Sequence, residues 1–107
     1  MGECNIDFVA NTFVALNRTM RLARDAEEGS VEATRLKQEE ETRLPEAVNV
    51  LKKFIDDGGT VNDDPKVLKI INKTKELLGS VENIKSGLFD NAKNLGFFDL
   101  LTAKKAE

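Results

Sequence analysis

Ile6, Val9, Phe13, Leu16, Met20 and Ala23 recur at intervals of three, four, three, four and three residues. At about 3.6 residues per turn, an α-helix places all six on one stripe, whereas a strand would scatter them over both faces. Such a stripe needs a cover, and the commonest cover is a second helix with a stripe of its own. A weaker row, Phe8, Ala15 and Leu22, repeats every seven residues on the flank. A helix with two apolar rows has two neighbours, or one neighbour and a free binding face.

The rest of the chain has the same period. Gly29 and Ser30 read as a left-handed stop and the N-cap of a second helix. That second segment is uneven. Its first half offers only Val31, Ala33 and Leu36, while Leu44, Ala47, Val48, Leu51, Phe54 and Ile55 share one face of its second half. Pro45 lies between the halves, where it removes a backbone hydrogen bond and crowds the carbonyl four residues back. The residues before it are good helix formers with no turn signal, which predicts one kinked helix. Gly58 and Gly59 end it, and Asp64–Pro65 supplies an N-cap acid and a first-turn proline for the third segment. There Val67, Ile71, Leu78, Val81, Leu88, Ala92 and Leu95 read as one seam, with Ile70, Leu77 and Ile84 beside it.

These signals predict an all-α chain of one domain: an up-down-up three-helix bundle with a kinked second helix and a short C-terminal hook. The expected helices span about residues 5–28, 31–57 and 65–95, with the hook over 97–103. Gly79 and Gly87, inside the third helix, mark close backbone approach or a bend. After the stop signal at Gly96, Phe97, Phe98, Leu100 and Leu101 follow at once. They are expected to fold back over the end where the first helix finishes, because the second helix brings so little apolar surface there. The competing expectation is that they dock into a partner, as short amphipathic segments do.

The residue inventory narrows the function. Histidine, tryptophan and tyrosine are absent, and the one cysteine cannot form an internal disulfide. Cys4 follows a start that resembles an acylation signal, but position 6 is Ile6 rather than the serine or threonine that signal uses. The chain has no basic-then-apolar leader and no apolar run long enough to span a bilayer, so a reducing cytoplasm is the expected setting.

No candidate site for chemistry meets its own requirements. Asp56, Asp57, Asn62, Asp63 and Asp64 lack the ligand spacing of a calcium loop and read as a glycine stop followed by an acidic cap. Glu39, Glu40 and Glu41 read as a solvated face, with Glu39 pairing to Arg43 one turn on. Nothing couples a nucleophile to a base, and no cofactor is implied. Arg18, Arg21 and Arg24 drift around the first helix, are followed by Asp25, Glu27 and Glu28, and have no aromatic partner for base stacking. With a net charge of −3, nucleic-acid binding is the weakest of the readings. The expected role is a non-enzymatic helical protein-interaction module: an adaptor, regulator or chaperone-like binding subunit. Its expected partner is another protein or a second copy of the chain as a homodimer. The expected contact residues are Phe8, Leu22, Phe97, Phe98, Leu100 and Leu101, with Arg18, Arg21 and Arg24 as a polar rim for an acidic surface. The alternative is a structural subunit of a viral or other homo-oligomeric assembly.

Overall fold

A computed structural model describes residues 6–60 and 64–102. Cys4, Asn62 and Asp63 lie outside the described residues, as does the last residue of the expected hook. The described residues form six helices and no strand: α1 (Ile6–Asp25), α2 (Val31–Asp56), α3 (Pro65–Leu78), α4 (Val81–Ser86), α5 (Leu88–Asn94) and α6 (Phe97–Thr102).

The expected punctuation sets the first three helices. Gly29 takes φ 82°, and Ser30 Oγ accepts a hydrogen bond from the Ala33 amide at 3.0 Å. The chain therefore reverses in a few residues, and α2 packs along α1. α2 continues through Pro45 as one helix of 26 residues. The Lys66 amide donates to Asp64 Oδ1 at 2.8 Å, capping α3 behind Pro65.

The third segment differs from expectation. It is three helices, not one. Gly79 ends α3, and the buried Asn83 side chain donates from Nδ2 to the Leu77 carbonyl, one of the acceptors that a helix end leaves open. Gly87 then adopts φ 85°, a left-handed conformation in which a side chain would be strained. A Cβ at Gly79 would meet only ordinary contacts, so Gly79 acts as a stop rather than as a close-approach point. Because the chain turns at both places, Val81 of the expected seam and Ile84 of the row beside it face solvent, while Leu88 and Ala92 return to the core.

One core unites these elements. Val9, Phe13, Leu16 and Met20 of α1 meet Leu44, Ala47, Val48 and Leu51 of α2, with Val67, Ile71 and Leu78 of α3 joining them. Gly96, at φ 81°, reverses the chain once more, and α6 lays Phe97 into this core with 0% of its surface exposed. Its ring lies 5.9 Å from Phe13 and 5.3 Å from Phe98, which in turn lies 5.1 Å from Phe89. The hook is therefore an internal element lodged against the middle of α1. The thin end where α1 finishes and α2 begins is faced by α4 instead.

A polar bridge crosses the α1–α3 contact. Thr74, fully buried, donates to Asn17 Oδ1 at 2.6 Å, and Asn17 Nδ2 donates to the Ile70 carbonyl at 3.1 Å. The bridge sets the register of α3 on α1, since a shift by one residue would strand a buried amide.

Two outcomes follow for unfolding by urea. Phe97→Ala is expected to lower stability by about 3–5 kcal/mol, and Phe98→Ala by clearly less because its ring is only partly buried. Asn17→Ala is expected to cost about 1–3 kcal/mol, whereas the paired change Asn17→Leu with Thr74→Val costs less than the sum of its parts, as a double-mutant cycle would read.

Candidate functional site

Among the concavities of the described residues, those of about 640 and 520 Å³ lie on different sides of α1. The first is an open groove of about 640 Å³ between α1 and α3. Val14, Leu68 and Ile70 line it with apolar surface, and Val14 is 46% exposed. Asn17 sits at its base, already committed to the bridge. Arg21, Lys69 and Lys73 stand along it as cations, with Glu76 as the one acidic side chain of the lining. Lys73 reaches Glu76 at 3.6 Å, an exposed pair of little energetic weight.

The expected contact residues are placed as follows. At about 100° per residue, the three arginines of α1 point in three directions. Arg21 lines the groove, Arg24 lines the second concavity and approaches Asp25 at 3.4 Å, and Arg18 is exposed. Phe8 and Leu22 are 50% and 47% exposed on the flank away from α3, separated by about 21 Å of helix. They do not form one patch. Phe97 is inside the core, and Phe98, Leu100 and Leu101 are partly buried against it. The structure thus brings Arg21 together with Val14, Leu68 and Ile70, gathers Phe97, Phe98, Leu100 and Leu101 onto the core, and leaves Phe8, Leu22, Arg18 and Arg24 apart from one another.

The second concavity, about 520 Å³, lies between the end of α1, the start of α2 and α4. Glu40 lines it with only 4% of its surface exposed. This corrects the reading of the Glu39–Glu41 run as wholly solvated. Glu39 does pair with Arg43, at 3.2 Å, but Glu40 falls between Leu36 and Leu44 on the α2 stripe and turns inward with them. Burial pushes its carboxyl up to about 7, with the Glu41 charge adding to the effect and Lys37 opposing it. No hydrogen bond or ion pair to its carboxylate is formed among the described residues, and its oxygens stay open to the cleft rather than sealed in the core. Among those residues no group of three or more His, Cys, Asp or Glu side chains is placed to hold a metal ion. Nor does any helix there have the length and apolarity to cross a membrane.

No known family, curated protein or solved structure matches the chain.

The raised Glu40 value has a direct consequence for stability. The folded chain keeps a proton on this carboxyl that the unfolded chain gives up, so stability falls as pH climbs from 4.5 toward about 7 and levels off above it. Glu40→Gln is expected to raise stability by about 1–2 kcal/mol above neutral pH, less than the full shift because solvent reaches the carboxyl, and the gain should shrink steadily in acid. Urea titrations of both proteins across that range provide the measurement.

Proposed function

We propose that the protein is a non-enzymatic helical interaction module whose α1–α3 groove receives an apolar segment flanked by acidic residues. The observation that carries the reading is the groove itself: a half-exposed Val14, with Leu68 and Ile70, between Arg21, Lys69 and Lys73. An amphipathic helix binds by laying bulky side chains at i, i+3, i+4 and i+7 into such a trough. The rim supplies the charge preference. Three cations against one carboxylate favour an acidic flank, and Arg21 can hold a carboxylate through two parallel N–H bonds. The chain's own apolar tail does not compete for the groove, because Phe97 is held by Phe13 inside the core. The role is that of an adaptor, regulator or chaperone-like subunit acting on another protein.

A photoreactive residue at position 14 tests this against the same residue at exposed position 41 on α2. Position 14 should form adducts with one acidic partner, fewer as salt is raised and fewer still after Leu68→Glu. Adducts with a second copy of the chain would instead favour the homo-oligomeric subunit. Equal labelling at both positions would remove the groove from consideration.

A further inference from the structure

The cleft at the opposite end of α1 from Ile6 does not belong to the docking groove, and its chemistry is different. Its deepest polar groups are Glu40 and Asn83. Glu40 lies 4% exposed, and no hydrogen bond or ion pair from the described residues holds its carboxylate. Asn83 donates one of its two amide hydrogens to the Leu77 carbonyl, which fixes the side chain's orientation and leaves Oδ1 available to accept. The cations lie further out. Arg24, Lys37 and Lys85 line the cleft from exposed positions, and none of them reaches Glu40 closely enough to form an ion pair. Ala23, Ala26 and Ala33 keep the walls small and apolar. At about 520 Å³ the cleft falls within the usual span of small-molecule sites, about 300–1,000 Å³.

A carboxyl this far out of water is costly to ionise, and a donor brought to Glu40 and to Asn83 Oδ1 lowers that cost. A free donor of the right kind is a primary ammonium, with N–H groups for Glu40 and for Asn83 Oδ1. At the mouth the cations Arg24, Lys37 and Lys85 outnumber the acids Glu28 and Glu82, so a ligand with an anionic end beside its ammonium fits better than a bare cation. We propose that the cleft between α1, α2 and α4 binds a small zwitterionic aliphatic amino acid, its ammonium on Glu40 and Asn83 and its acid group among Arg24, Lys37 and Lys85.

The electrostatics add a signature that a merely structural Glu40 would lack. The charged groups that face this carboxyl or flank it are Arg24 and Glu28 from the α1 end, Lys37 and Glu41 from α2, and Glu82 and Lys85 from α4. Binding an ammonium favours the ionised form of the carboxyl, so the proton released comes from Glu40. Binding should therefore strengthen about tenfold between pH 6 and pH 8, since a carboxyl titrating at about 7 is mostly protonated at the first and mostly ionised at the second.

The test uses three probes of one length: 4-aminobutyrate, n-butylamine and butyrate. Each is titrated into the intact chain labelled with nitrogen-15, with amide shifts followed at Ala33, Asn83 and Ser86. The expected order is 4-aminobutyrate strongest, n-butylamine weaker and butyrate weakest. Glu40→Gln, which should fold at least as well as the parent, is expected to weaken 4-aminobutyrate about tenfold or more and to abolish its pH dependence. Calorimetry in buffers of differing ionisation enthalpy should show about half a proton released per ligand at pH 7. If no probe moves these amides at tens of millimolar, or if Glu40→Gln binds 4-aminobutyrate as the parent does, the proposal is overturned. Butylamine binding as tightly as 4-aminobutyrate would overturn the role given to the outer cations.

Discussion

The structure depends on covering one stripe of α1 from several sides. Val9, Phe13, Leu16 and Met20 are enclosed by α2, by α3 and, at Phe13, by the ring of Phe97. Each fully buried side chain of this size contributes roughly 1.5–3 kcal/mol, which is large against the few kcal/mol that separate a folded domain from its unfolded chain. Other elements are placed by this need. α2 reverses at Gly29 to lie along the stripe, α3 is locked to it by Asn17 and Thr74, and α6 is turned inward at Gly96 to reach Phe13.

Much of this was legible in the residues. Ser30, Gly58, Asp64, Pro65 and Gly96 act where their backbone preferences put them, because caps and left-handed turns are decided within a few residues. The break-up of the third segment was not legible from its periodicity. Leu78, Val81, Leu88 and Ala92 keep helical spacing across two changes of direction, so the pattern continues even though the helix does not. Only Gly79 and Gly87 signalled the change, and a glycine within a helix is tolerated often enough to leave the matter open.

Three buried polar residues had a signal that hydrophobic counting passes over. Asn17 stands one turn from Phe13, Glu40 one turn from both Leu36 and Leu44, and Thr74 between Ile71 and Leu78. A polar residue on an apolar stripe is either a partner in a buried bridge or a charge held out of water, and the structure contains one case of each kind. Asn17 and Thr74 satisfy one another, while Glu40 forms no hydrogen bond or ion pair among the described residues. The groove had no comparable signal. It arises where α3 packs beside α1, a placement that no residue spacing encodes.

The position of Phe97 has a consequence for the order of events during folding. The α1–α2 hairpin unites residues that are near one another along the chain, and closing such short loops is comparatively fast. Phe13 and Phe97 come from distant parts of the chain. Until α6 arrives, the early hairpin carries an uncapped greasy notch at its centre, and the interval before that gap is filled is when the young chain is most vulnerable to sticking to its neighbours.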